Sequence, residues 1–195
     1  MGRKIPVVLD DDERRALLAV PNTRYPTGLR NLCMLRVMLD LGLRVSEVAN
    51  LKVKDVNWTT GRNRAQLIVR QGKGGKDRVL CLSDDDMVLL CTWRDRRRVD
   101  GDYLFTTLQG GQLSTRYIRA MVERCSIRAG IDKKVGPHTL RHTFATDFYR
   151  ENRNLVAVQA ALGHSNITTT SIYTHLVNGE LDDALRFFRA GAVMA

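Results

Sequence analysis

No stretch of apolar residues in this 195-residue chain approaches the roughly 20 that a membrane-spanning helix requires. The opening MGRKIPVVLD has no apolar core of the kind that leads a secreted protein out of the cell. A cytoplasmic protein with no membrane partner is therefore expected. Cysteine is scarce and scattered: Cys33, Cys81, Cys91 and Cys125 form no C-x-x-C pair, so free and mostly buried thiols are expected rather than disulfides or zinc. Internal repeats and low-complexity tracts are absent. The glycine-rich stretch GKGGKDR (Gly72 to Arg78) lacks the G-x-x-x-x-G-K-[ST] spacing of an ATP-binding loop. His138 and His142 stand four apart, as a zinc pair would, but no H-E-x-x-H or cysteine pattern accompanies them. No cofactor and no metal are expected.

What the chain has in excess is positive charge. The formal net charge is +10, with 44% hydrophobic and 27% charged residues, an ordinary composition for one globular domain with a sizeable core. The charge is unevenly placed. Residues 44–78 carry nine Lys/Arg against three Asp/Glu, and residues 116–153 carry nine against four. Two basic segments of this kind suit contact with a polyanion. Acidic clusters at Asp10 to Glu13 and Asp84 to Asp86 fall where helices are expected to start, with carboxylates at the positive end of the helix dipole.

Periodicity predicts a mainly α protein with a small antiparallel sheet. A first helix covers Leu9 to Val20, capped by Asp10 or Asp11 and stopped by Pro21. Pro26 opens a longer helix that Gly42 ends, and a short helix runs from Val45 to Leu51. The period then changes to two at Ala65, Leu67 and Val69. GKGGK turns the chain, and Val79 to Leu82 returns as the second strand. Helices follow from Ser83, with Met87, Leu89, Leu90 and Trp93 on one side, and from Ser114 to about Ala129. A short strand is expected at Tyr103 to Thr106. Further helices are expected at about His138 to Arg150, Leu155 to Leu162 and Ile167 to Thr174. The tail from Leu181 to Ala190 is an amphipathic helix with Leu181, Leu185 and Phe188 on one stripe.

Several residues are of the types that cleavage of a phosphodiester requires. Breaking that bond without a metal needs cations on the nonbridging oxygens, an in-line nucleophile and a proton for the leaving oxygen. Arg44 and Arg141 suit the first task, because a planar guanidinium grips two oxygens and stays charged. Glu47 lies one helical turn from Arg44 and can orient its guanidinium or a neighbouring group. Lys73 sits at the tip of the predicted hairpin, with Lys76 in the same turn as the alternative. His138 precedes Arg141 by one helical turn, so both can project into one site.

The boxes GLRVSE (Gly42 to Glu47), GKGGKDR, PHTLRH (Pro137 to His142), LGH (Leu162 to His164) and SIYTH (Ser171 to His175) stand in a fixed order. Together they resemble the catalytic domain of the tyrosine recombinases, the phage-integrase family, over nearly the whole chain. The resemblance implies that family's catalytic-domain fold. It also implies metal-free, site-specific cleavage and rejoining of double-stranded DNA through a 3′-phosphotyrosine. Tyr173 is then the nucleophile, Arg44 and Arg141 bind the scissile phosphate, and Lys73 protonates the departing 5′ oxygen. His138 handles the tyrosine proton, His164 contacts the phosphate or its proton network, and Glu47 supports the first box. His142 is read as a packing or hydrogen-bonding residue, and His175 has no assigned role.

The chain is expected to be a single catalytic domain over residues 1–195, without the helical DNA-binding module that most of the family carry ahead of it. It would then be either an excised domain or one of the small recombinases that lack the module, such as the fimbrial phase-variation enzymes. Residues 178–195 form the tail helix, which the resemblance makes a candidate for exchange between subunits. The expected state is a monomer when free and a tetramer on paired DNA sites, acting at the nucleoid. The competing functions are a catalytically silent DNA-binding protein on the same fold and a type IB topoisomerase.

Overall fold

The computed structural model describes residues 6–59, 65–70, 77–97 and 99–163. Helix α1 (Asp11–Ala19) begins with a reciprocal cap in which Asp10 Oδ1 accepts from the Glu13 amide and Glu13 Oε2 accepts from the Asp10 amide, at 2.9 and 2.8 Å. Pro26 occupies the first turn of α2 (Pro26–Asp40), where its missing N–H costs no intrahelical bond. This helix is the centre of the domain. Leu29, Cys33, Met34, Leu35, Val37, Met38 and Leu39 are all buried, so α2 is apolar around most of its girth and is covered on several sides.

Helix α3 (Val45–Asn50) and a 3-10 turn at Val53–Asp55 lead into a three-stranded antiparallel sheet in the order β1 (Val56–Asn57), β2 (Gln66–Val69), β3 (Arg78–Cys81). Leu67 faces Val56 on one side and Leu80 on the other, and Val69 faces Arg78. Leu67 and Val69 are buried while Gln66 and Ile68 are less so, the alternation expected of a sheet with one covered face. Helices α4 (Asp84–Arg96), α5 (Thr115–Arg128), α6 (Pro137–Asn152) and α7 (Leu155–Leu162) complete the described chain. Ser83 and Ser114 cap α4 and α5 by accepting from the Asp86 and Tyr117 amides. α2 packs against both α4 and α6. A small satellite cluster of Ala145, Val158 and Leu162, flanked by Phe144, Phe148 and Tyr149, fastens α7 to α6. Among the described residues no helix is long and apolar enough to cross a membrane.

The mainly α architecture with a small antiparallel sheet is as expected, and three local readings are corrected. The sheet has a third strand: β1 is two residues long, too short to show a period of two. Tyr103 to Thr106 is not a strand but makes isolated bridges, Lys52 with Tyr103 and Thr106 with Gln112. The thiols are not mostly buried. Cys33 and Cys125 are buried, Cys91 is half-buried and Cys81 is exposed, because position 81 falls on the solvent face of β3. The helices expected at Ile167 to Thr174 and Leu181 to Ala190 lie outside the described residues.

Candidate active site

The site is built where the chain leaves α2. Gly42 adopts φ +64°, a left-handed conformation that β-carbon-bearing residues rarely take, and a Cβ there would lie 2.3 Å from Cδ1 of Phe144. The glycine thus allows a tight turn under α6 and leaves its carbonyl pointing at that helix. Two residues on, Arg44 is the N-cap of α3, and Glu47 at the third helical position accepts from the Arg44 amide at 2.7 Å. The same carboxylate accepts from Arg44 Nη1 at 2.8 Å. Glu47 thus contacts both the amide and the guanidinium of Arg44.

Two further arginines reach this carboxylate from distant parts of the chain. Arg78, the first residue of β3, donates Nη1 to Glu47 Oε1 at 2.9 Å and Nη2 to Oε2 at 2.8 Å, a bidentate pair. Arg141, in α6 and only 5% exposed, has Nη1 4.0 Å from Glu47 Oε2. Burial by itself would raise the Glu47 pKa. The hydrogen bonds and charge of Arg78, with the amide and guanidinium of Arg44, outweigh it and hold the carboxyl at about 2. Three guanidinium groups around one carboxylate leave a surplus of positive charge. That surplus is what a phosphate passing through a pentacoordinate transition state needs.

The same three arginines gather the end of α7. Arg78 Nε donates to the Ala161 carbonyl at 2.7 Å, Arg141 Nη2 to Leu162 at 2.6 Å and Arg44 Nη2 to Gly163 at 3.5 Å. The final carbonyls of a helix have no intrahelical partner and sit at the negative end of its dipole, so cations are favoured there. Gly163 ends the helix at φ +61°, and its N–H bonds back to Ala160. Arg141 Nη1 also donates to the Gly42 carbonyl at 2.5 Å, which ties the α2 exit, α6 and α7 together.

His138 is exposed on the first turn of α6, one helical turn before the buried Arg141. His142 is half-buried. Burial first, then the charges of His138 and Arg141, push its pKa below the ordinary histidine value. Of the site residues read from the sequence, the structure brings together Arg44, Glu47 and Arg141. Lys73 and its alternative Lys76 fall between the paired residues Val69 and Arg78, and they lie outside the described residues, as do His164, Tyr173 and His175. Arg78 went unassigned in the sequence reading. It stands in the GKGGKDR box, but nothing local distinguishes its partner, which is 31 positions away.

Comparison with known proteins agrees with this geometry. Residues 7–180 match the phage integrase family model. The tyrosine recombinase XerC of Xanthomonas axonopodis pv. citri (strain 306) is 38% identical over 175 residues, which is 89% of this chain and 55% of the relative. The chain thus spans about half the length of the curated relatives it matches. Among solved structures, XerA recombinase superposes with a TM-score of 0.81 at 34% identity, covering 96% of this chain and 67% of that one. The site-specific recombinase XerH, solved with a palindromic difH substrate in a post-cleavage complex, gives 0.80 at 31% identity, covering 95% and 54%. The helical domain and its three-stranded sheet have the fold of a tyrosine recombinase catalytic domain. With a family match that takes in the α3, β3, α6 and α7 segments joined by Arg44, Arg78 and Arg141, the chain belongs to the phage integrase family.

Proposed function

We propose that this chain acts as a site-specific recombinase, cleaving and rejoining double-stranded DNA through a covalent 3′-phosphotyrosine. The observation that carries the reading is the surplus of guanidinium charge gathered on Glu47, where Arg44, Arg78 and Arg141 converge from the start of α3, from β3 and from α6. Arg44 and Arg141 bind the nonbridging oxygens of the scissile phosphate. Tyr173 Oη attacks phosphorus, the P–O5′ bond breaks, and the phosphoryl group passes to the tyrosine. The tyrosine proton goes to His138, Lys73 supplies a proton to the departing 5′ oxygen, and His164 joins the proton network at the phosphate. Rejoining is the reverse with a different 5′ hydroxyl, so the bond energy is conserved and no nucleotide cofactor is consumed. Residues 1–195 are read as one catalytic domain, a monomer when free and a tetramer when two DNA sites pair at the nucleoid.

The test is covalent trapping. Wild-type protein is incubated with nicked duplexes of randomised central sequence, and adducts that survive denaturation are selected and sequenced. Tyr173→Phe should form none while shifting the same duplexes on a native gel nearly as well as wild type, because only the attacking oxygen is lost. An adduct formed by the Phe variant would remove Tyr173 from its role.

A further inference from the structure

Arg78 is more enclosed than the phosphate-binding candidate beside it, its side chain 10% exposed against 20% for Arg44. It makes three hydrogen bonds to two other segments, both oxygens of Glu47 in α3 and the Ala161 carbonyl at the end of α7. Gly163 lies close against it: a Cβ there would be 3.1 Å from Arg78 Nη1, tighter than ordinary van der Waals packing. The guanidinium is thus turned inward, toward protein acceptors. Glu47 is faced by Arg44 from its own helix, Arg78 from β3 and Arg141 from α6, and among these only Arg78 engages both of its oxygens through the side chain.

We propose that Arg78 is a positioning residue for cleavage. By holding both oxygens of Glu47 and the Ala161 carbonyl, it sets the guanidinium of Arg44 and the end of α7, from which the chain runs on to His164. This rests on the reading of Arg44 as a phosphate-binding group. Without Arg78, the carboxylate is free to turn toward Arg44 and Arg141 and draw them off the phosphate. Lysine is a poor substitute, because one ammonium cannot span acceptors on two segments in the fixed fork of a guanidinium.

The experiment uses the full chain in two arms. In the first, Arg78→Met and Arg78→Lys are compared with wild type in single-turnover cleavage of the nicked duplex selected above, with Kd measured on the same duplex. Cleavage at saturating protein should fall by about tenfold or more in Arg78→Met and recover only partly in Arg78→Lys, with Kd changed by less than about threefold. In a Glu47→Gln background, Arg78→Met should cost less than about threefold, because its effect passes through Glu47. Cleavage at the wild-type rate, or losses that simply multiply in the double variant, would overturn the proposal. The second arm needs no DNA: the Glu47 carboxyl is titrated by carbon NMR in each protein, with Glu47→Gln for assignment. Its midpoint should move upward when Arg78 is replaced, and an unmoved midpoint in both variants would also overturn the proposal. If wild type forms no adduct, the recombinase reading fails and the titration still decides whether Arg78 fixes Glu47. If Arg78→Met does not fold, Arg78→Lys carries both arms.

Discussion

Two acidic side chains seven positions apart, both packed among arginines, titrate in opposite directions. Glu47 is held at about 2, whereas Asp40, at the end of α2, is pushed up to about 6. Burial tends to raise both. The difference lies in the neighbours. Around Glu47 stand Arg44, Arg78 and Arg141, and among the described residues no second carboxylate is paired with them. Around Asp40, Arg36 is shared with Asp86, at 2.8 Å to each carboxylate, and Arg14 lies 2.9 Å from Asp147 but 3.8 Å from Asp40. After burial, the pull of Arg36 is opposed by the charge of Asp86, and Asp40 Oδ2 is a buried oxygen without a well-directed hydrogen bond. One cluster is cation-rich and the other acid-rich, so the local charge balance decides what a buried carboxylate does. Only the first has positive charge to spare for a phosphate.

The sharpest way to break this comparison is to swap arginines for lysines on each side of it. Arg44→Lys and Arg141→Lys should each lower adduct formation by at least about a hundredfold, since an ammonium keeps the charge but not the two-pronged grip. Arg36→Lys, in the acid-rich cluster, should leave the rate within about twofold by the same reasoning. An Arg141→Lys protein that cleaves like wild type would refute the phosphate-binding role.

Neutralising the two acids should separate them in stability. Glu47→Gln leaves three arginines without their carboxylate and should cost on the order of 3 kcal/mol in urea unfolding at pH 7. Asp40→Asn removes a carboxylate that is held unfavourably and should leave stability unchanged or raise it by up to about 1 kcal/mol. Equal losses in both variants would mean that the charge balance is not what distinguishes the sites.

The smallest effect is in the pH dependence. For Glu47 the folded pKa lies below the ordinary 4.5, so its contribution is full above that value and is lost as pH falls toward 2. For Asp40 the folded pKa lies above the ordinary 3.8, so the sign reverses, and stability rises as pH falls through about 6 toward 4. Unfolding curves across pH 2 to 8 should show each slope vanish in the matching variant, Glu47→Gln or Asp40→Asn.

Much of the local structure was legible because it is built from neighbours in the sequence. Asp10, Ser83 and Ser114 cap helices by bonding amides three positions on, and such contacts need no knowledge of the rest of the chain. Leu67 and Val69 alternate strongly enough to mark a strand. β1 and the Tyr103 to Thr106 segment were misjudged for the converse reason: their pairing is made by partners elsewhere, Leu67 for Val56 and Lys52 for Tyr103. Arg78 was overlooked because an arginine in a basic box looks like one more cation until Glu47 is placed beneath it.

The sequence alone determined the mainly α content, most helix limits, the two basic segments and the motif residues Arg44, Glu47 and Arg141, since each depends on periodicity, capping or residue type within a few positions. Tertiary structure decided which cations share Glu47, that α7 offers three successive carbonyls to three arginines, and that Asp40 and Glu47 titrate apart. The physical reason is distance and dielectric. A carboxylate's charge state and an arginine's free donors depend on groups brought within about 4 Å from remote parts of the chain and on the water excluded around them, and neither is written in any local stretch of residues.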